Sequence, residues 1–132
     1  MEVTITQEPG RVPVTVVHVA GNTDSASANA FEEKVMEAID AGARHLVLDL
    51  SEVPYMSSAG LRVLQRVFDK LRSLSADESD KEMYRKINEG TFTSPHLKLL
   101  NPTKEVVDVL KMSGFDMLVS IEEDLKTAVA SF

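Results

Sequence analysis

The sequence contains no cysteine among its 132 residues. This excludes disulfide bonds, a cysteine nucleophile and any metal site built from thiolate ligands. A chain of this length can bury roughly two-thirds of its unfolded surface, so it needs no disulfide or metal to fold. A lack of cysteine is also compatible with a reducing compartment, and we expect a cytoplasmic protein.

Long apolar runs are absent as well. No stretch approaches the ~18 apolar residues that a membrane-spanning helix requires. The first ten residues, MEVTITQEPG, lack the basic start and apolar centre of a signal peptide. We therefore expect neither membrane insertion nor export.

Basic residues are in the minority. The chain has 14 Lys and Arg against 21 Asp and Glu, which gives a formal net charge of -7 at pH 7. Because nucleic-acid binding requires a surface that neutralises phosphates, this balance argues against direct contact with DNA or RNA.

Residues for catalysis or for cofactor binding are few. His18, His45 and His96 lie in or at the start of predicted strands, and none has a partner at the spacing of a catalytic triad or a metal site. No glycine stands two residues before Ser58, as a nucleophile elbow requires, and no glycine-rich loop carries a phosphate-binding lysine. We predict a protein that is not an enzyme and that binds no metal and no cofactor.

An alternation of strand and helix patterns predicts the fold class. Two segments rich in β-formers, 3–8 and 12–20, flank Pro9-Gly10 and predict a hairpin. The later strand patterns are residues 44–50, HLKLLNP and DMLVSI. Helix patterns run from Asp24 or Ser25 to Gly42, from Ser57 or Ser58 to about residue 74, from Thr103 to Gly114, and through the last eleven residues. We predict one α/β domain over residues 1–132, with a mixed, mostly parallel sheet of about five strands and about four helices.

Residues 75–95 interrupt this alternation with a polar segment. Within it, Ser79 and Glu82 have the spacing of a capping box that would start a short helix ending before Gly90. We predict a helical or irregular insertion. Three roles stay open for it: a disordered loop, a small helix at the sheet edge, or a contact with a partner or with a second copy in a homodimer.

Two adjacent serines, Ser57 and Ser58, lie between the strand at 44–50 and the helix that follows it. The carboxyl ends of strands are where ligands and reactive groups gather in open α/β sheets. One interpretation is a helix N-cap, in which the hydroxyl accepts a backbone hydrogen bond. The other is a hydroxyl presented for phosphorylation, since a helix N-terminus tolerates a phosphate whose charge can bar a partner protein. Spacing alone leaves both open.

The residues around these serines form a longer pattern. An apolar strand ends in Asp49-Leu50-Ser51 and is followed by Tyr55, a serine and Gly60-Leu61. This stretch, LVLDLSEVPYMSSAGLRVL, resembles the signature of the STAS domain, which occurs in anti-sigma factor antagonists, stress-signalling scaffolds and the cytoplasmic tails of sulfate transporters. The segments GNTDSASA and LKLLNPTKEVVDVLKMSGFDMLVSI extend the resemblance over most of the chain.

The resemblance implies a bacterial anti-sigma factor antagonist. Such a protein binds an anti-sigma factor that is also a serine kinase, is released when its serine is phosphorylated, and is restored by a PP2C-type phosphatase. Matching the signature backward from Gly60 places the phosphorylated serine at Ser58, with Ser57 as the alternative because it stands where the family often has an acidic residue. Two other functions stay open: a scaffold or adaptor without a serine switch, and a soluble accessory subunit of a membrane transporter.

The resemblance implies a role for Asp24, and it includes Asp49 and Ser51 in its signature. Asp24 corresponds to the acidic residue of the loop after the second strand, which lies beside the serine at the partner-binding surface. Its alternative role is to cap the first long helix. Asp49 and Ser51 are assigned only a structural role, in which side-chain hydrogen bonds to backbone end the strand and hold the loop.

The second long helix carries an excess of positive charge, with four basic residues and one acidic residue. Arg62 and Arg66 are one turn apart and close to Ser58, so they could receive an anionic surface of a partner. With Asp24, Ser57 and Ser58 they make up the predicted partner-binding residues. The alternative is a solvated helix face without a binding role.

Overall fold

The computed structural model describes residues 1–75 and 79–132. In these ranges the strands are β1 (Glu2–Glu8), β2 (Val14–Ala20), β3 (Leu46–Glu52), β4 (Leu97–Leu100) and β5 (Ser120–Glu122). The helices are α1 (Ser25–Asp40), α2 (Ser58–Ser73), α3 (Asp80–Glu89), α4 (Lys104–Ser113) and α5 (Leu125–Ala130), with a short 3-10 turn at Phe115–Met117.

The strands form one sheet in the order β1-β2-β3-β4-β5. β1 and β2 make an antiparallel hairpin, and every later neighbour pairs in parallel. This confirms the predicted mixed, mostly parallel α/β fold. Because successive parallel strands are direct neighbours, their helical crossovers all lie on the same side of the sheet.

The core has two parts of unequal size. On one face of the sheet, Leu46, Leu48 and Leu50 of β3 pack with apolar residues of α1, α2 and α4 in a large cluster. On the other face, Val47 belongs to a smaller cluster with α5, which is six residues long. Asp49 projects to this second face, since side chains alternate along a strand.

The segment predicted as an insertion contains α3. Met83 of this helix and Phe92 beyond it are buried in the large core cluster, and the Phe92 ring meets that of Phe68 edge to face at 6.2 Å. The segment therefore contains a helix, one of the two forms left open by the sequence, and part of it belongs to the core. The predicted segment also includes residues 76–78, which lie outside the described residues.

The predicted capping box at the start of α3 is only half formed. The Ser79 hydroxyl accepts a hydrogen bond from the Glu82 amide at 3.2 Å, as in a capping box. The Glu82 carboxylate instead pairs with Arg85, three residues later, at 2.9 Å. A salt bridge on the helix surface has replaced the return bond to the cap.

The last strand is shorter than the pattern DMLVSI predicts. Gly114 ends α4 with a positive φ of 79°, and Phe115–Met117 then form a 3-10 turn before β5 begins at Ser120. The turn buries Phe115 against Phe68, with ring centroids 6.2 Å apart. The first residues of the DMLVSI pattern thus belong to the turn that packs Phe115 into the core after α4, and only its last residues form a strand.

Candidate functional site

The structure gives the two serines different positions. Ser57 is the N-cap of α2, with extended backbone angles, and its Oγ accepts a hydrogen bond from the Gly60 amide at 3.3 Å. Ser58 is the first residue of the helix and is exposed. Its hydroxyl makes no hydrogen bond within the described ranges 1–75 and 79–132. The cap therefore occupies Ser57 and leaves the hydroxyl of Ser58 free.

A short parallel bridge joins the loop after β2 to the loop before α2. It pairs Thr23 with Met56. The Thr23 amide donates to the Tyr55 carbonyl at 3.2 Å, and the Ser57 amide donates to the Thr23 carbonyl at 3.0 Å. The residues that follow the bridge begin α1 and α2, so the bridge brings the N-termini of both helices to the same edge of the sheet.

Asp24 follows directly after this bridge and caps α1. Its carboxylate accepts a hydrogen bond from the Ser27 amide at 2.8 Å, while its own amide donates to the Ser27 hydroxyl at 3.0 Å. The Ser27 amide, followed by the Ser27 hydroxyl, lowers the pKa of Asp24 below its usual value. The side chain is exposed, so its charge is available at the surface as well as to the helix.

Gly60 is buried where α2 crosses this bridge. A Cβ built on it would lie 2.8 Å from Thr23 Cβ and 3.0 Å from Met56 Cγ, closer than side chains approach one another. The Thr23 hydroxyl is buried there and has no hydrogen-bond partner among the residues that the structure describes. Sequence reasoning does not identify Thr23 as a site residue. The signal in the sequence that could have pointed to this contact is Gly60, because a glycine inside a helix pattern can mark close packing against another element.

Tyr55 belongs to the STAS-like pattern, which gives it no role of its own. It is 55% exposed although it lies between the buried residues Val53 and Met56. Exposed aromatic side chains are enriched where proteins bind each other. Its position one residue before the bridge puts it beside Asp24 and the serines.

The structure treats the two predicted arginines differently. Arg62 lies one turn after Ser58, is exposed and makes no ion pair with any described residue. Arg66 is bound across the helix pair, with its Nη1 2.9 Å from the Glu32 carboxylate of α1. The charge of Arg66 is therefore largely balanced, and Arg62 is the cation nearest to Ser58 along α2.

A chain of polar side chains crosses the second face of the sheet. His18 Nδ1 lies 2.9 Å from an Asp49 carboxylate oxygen, and its Nε2 lies 3.3 Å from the Thr6 hydroxyl. The other Asp49 oxygen accepts hydrogen bonds from the Ser51 amide at 3.1 Å and the Ser51 hydroxyl at 2.7 Å. Burial raises the pKa of Asp49, but the bonds from Ser51 and His18 outweigh it and hold the pKa below its usual value.

This polar chain lies where the pairing of β2 with β3 shifts. His18 pairs with Asp49, but Ala20 pairs with Glu52, so β3 has one extra residue in this interval. Asp49 binds Ser51 within that bulge and so holds the end of β3 from which the loop to Ser57 departs. Local spacing along the chain does not reveal the His18–Asp49 pair, because the pair spans two strands.

Neither a metal-ligand cluster nor a membrane-spanning helix occurs among the described residues. Residues 1–75 and 79–132 contain no group of three or more His, Asp or Glu side chains that could hold a metal ion. Within the same ranges, no helix is long and apolar enough to cross a membrane.

Comparison with known proteins decides the family. The model of the STAS domain matches residues 4–77, more than half of the chain. The chain belongs to the STAS domain family. It is also 30% identical over 112 residues to the putative anti-sigma factor antagonist BtrV of Bordetella bronchiseptica, in a match that covers 85% of this chain and 80% of that protein.

Solved structures of anti-sigma factor antagonists share the fold. An anti-sigma factor antagonist from Mycobacterium paratuberculosis superposes with a TM-score of 0.70 at 21% identity, over 96% of this chain and 91% of that one. The anti-sigma factor antagonist SpoIIAA in its unphosphorylated form gives 0.68 at 17% identity, over 96% and 93%. The phosphorylated form of Bacillus SpoIIAA gives 0.62 at 16% identity, over 96% of each chain. The predicted family is thus confirmed, and these relatives are named as anti-sigma factor antagonists.

Proposed function

We propose that this STAS protein is an anti-sigma factor antagonist switched by phosphorylation of Ser58. Unphosphorylated, it binds an anti-sigma factor that is a serine kinase. Phosphorylation releases it, and a PP2C-type phosphatase restores the binding form. The observation that carries the proposal is the exposed hydroxyl of Ser58, which bonds to no described residue, next in sequence to the capping hydroxyl of Ser57. SpoIIAA, which has the same fold, occurs in an unphosphorylated and a phosphorylated form.

The position of Ser58 suits a switch that leaves the fold intact. Its side chain is outside the core, and the first amides of α2 provide donors and a favourable dipole for an anion. A phosphate adds a charge of about -1.5 to -2 and three acceptor oxygens. The same modification on Ser57 would compete with the bond from the Gly60 amide that starts the helix. Ser58 is therefore the better substrate of the two.

The proposed partner surface consists of Asp24, Tyr55, Ser58 and Arg62, and we call it the helix-start surface. Asp24 is anionic, Arg62 is cationic and Tyr55 offers a half-exposed ring, so the surface provides both charge and an aromatic anchor. In the complex, the partner's surface faces the neutral Ser58 hydroxyl. A phosphate dianion at Ser58 would place negative charge against partner groups that fit a neutral hydroxyl. Electrostatic mismatch of this kind costs affinity without changing the fold. Arg66 contributes less, because Glu32 already neutralises it.

The kinase reaction tests the choice of serine. Wild-type protein, Ser58→Ala and Ser57→Ala are incubated with the candidate kinase and ATP, and intact masses are measured. The proposal expects one phosphate on wild type and on Ser57→Ala, and none on Ser58→Ala. A phosphate on Ser58→Ala that is absent from Ser57→Ala would transfer the role to Ser57.

Affinity purification tests the switch. Ser58→Ala is expected to retain the kinase partner, and Ser58→Asp is expected to lose it. Equal recovery of the kinase with both variants would contradict the proposal and favour a scaffold or adaptor without a switch. Recovery of a membrane transporter in place of the kinase would favour an accessory subunit.

The proposed function also bears on the cellular compartment and on the domain boundaries. We place it in the cytoplasm, where a sigma factor and its regulators meet. We also treat residues 1–132 as one STAS domain, since α3 shares the large core cluster with α1, α2 and α4.

A further inference from the structure

Ser58 and Arg62 are the first and fifth residues of α2, and both are exposed. Residues four apart in a helix are neighbours on its surface, with Cβ atoms about 5–6 Å apart. The guanidinium of Arg62 makes no ion pair with any residue in the described part of the chain. The next basic residue of this face, Arg66, is held 2.9 Å from Glu32. One uncommitted cation thus stands within side-chain reach of the Ser58 hydroxyl.

We propose that Arg62 is the counter-ion of phosphorylated Ser58, so that phosphorylation also withdraws this cation from the helix-start surface. The inference rests on the proposed function for its biological role. Before phosphorylation, Arg62 is free to meet an acidic group of the partner. Afterwards its planar fork of N–H donors can bind two phosphate oxygens at once. Phosphorylation then changes the helix-start surface in two ways. It adds the negative charge of the phosphate, and it engages the positive charge of Arg62.

The proposal distinguishes Arg62 from every other basic residue of α2. Arg66 is committed to α1, and Arg72 at the far end of the helix pairs with Asp80 at 2.6 Å. Lys70 lies three turns beyond Ser58, too far for a direct bond. Besides the backbone amides of the first turn, a phosphate on Ser58 therefore has one basic side chain of α2 as a partner, and the effect of that side chain is separable by mutation.

The experiment measures the second pKa of the phosphate itself. Phosphoserine is installed at position 58 by suppression of an engineered stop codon, and its phosphorus NMR shift is followed against pH. Arg62→Gln is expected to raise that pKa by about 0.3 units, since an ion pair four residues apart on a helix favours the dianion by that order. Arg62→Lys is expected to retain the charge and part of the effect. Arg66→Gln is the matched control and is expected to leave the pKa at the wild-type value.

Two outcomes would overturn the proposal. In one, Arg62→Gln titrates like wild type, so the arginine does not pair with the phosphate. In the other, Arg66→Gln raises the pKa as much as Arg62→Gln, so the shift comes from the overall positive charge of α2 and not from a specific pair with Arg62. Because no kinase is used, the result is independent of the kinase assay: a kinase that ignores Ser58 contradicts the proposed function, whatever the titration shows.

Discussion

The side chain of Thr23 occupies the space that a side chain on Gly60 would need. A Cβ on Gly60 would lie 2.8 Å from Thr23 Cβ. Glycine in a helix costs about 1 kcal/mol relative to alanine, so helix propensity does not account for it here. The contact packs the first turn of α2 against the loop after β2 and so holds the starts of α1 and α2 at the same end of the sheet.

Gly60→Ala should therefore destabilise the protein although alanine is the better helix former. We expect a loss of about 1–3 kcal/mol in the free energy of unfolding, typical of overpacking a filled site. Urea denaturation monitored by circular dichroism measures it. Ser58→Ala, in the same turn but exposed, is the control and should change stability by less than about 0.5 kcal/mol. A Gly60→Ala protein as stable as wild type would show that Thr23 moves aside.

The two serines should differ in stability as well as in modification. Ser57→Ala removes the hydroxyl that accepts the Gly60 amide, and loss of such a cap costs about 1 kcal/mol. Ser58→Ala removes a hydroxyl with no such bond and should be close to neutral. Thermal or urea unfolding of the pair checks this. Equal losses in both variants would contradict the assignment of the cap to Ser57.

Asp49 should make stability depend on pH in the acidic range. Its pKa is lower in the folded protein than in the unfolded chain, so the unfolded state binds more protons as the pH falls. The stabilisation is complete above the unfolded carboxyl pKa of ~3.9 and is lost as the pH falls through the lower, folded value. Asp49→Asn should flatten the fall in stability below pH ~4 in urea unfolding, whereas Asp108→Asn on the exposed side of α4 should follow wild type. Parallel curves for wild type and Asp49→Asn would rule out this coupling.

The helix α3 should contribute to the stability of the core. Met83 is 8% exposed and its neighbour Tyr84 is 60% exposed. Met83→Ala should cost about 2 kcal/mol in the free energy of unfolding, since it leaves a cavity in the large cluster. Tyr84→Ala removes the exposed neighbouring side chain of the same helix and should have little effect. If Met83→Ala is also neutral, α3 does not depend on its packing against the core.

Sequence reasoning selects the region of the candidate site but does not divide the roles among its residues. The cap preference of serine applies to Ser57 and Ser58 alike, and the backbone angles of the folded loop decide which one caps. Residue spacing along the chain cannot predict the His18–Asp49 pair, because the two residues come together only when β2 and β3 pair. Capping residues and periodicity do predict α3. They do not show that Met83 and Phe92 join the core.

The order of strands and helices was determined by the sequence alone, because side-chain periodicity and turn residues act between neighbours along the chain. The STAS signature is equally local, and its residues are enough to indicate the family. The tertiary structure decided which charges near Ser58 are free. Arg62 and Arg66 have the same chemistry and lie on the same helix, yet only the packing of α1 on α2 brings Glu32 within 2.9 Å of Arg66. Ion pairs between helices depend on distances that the packed core sets, and those distances are not encoded in the spacing of residues along one segment.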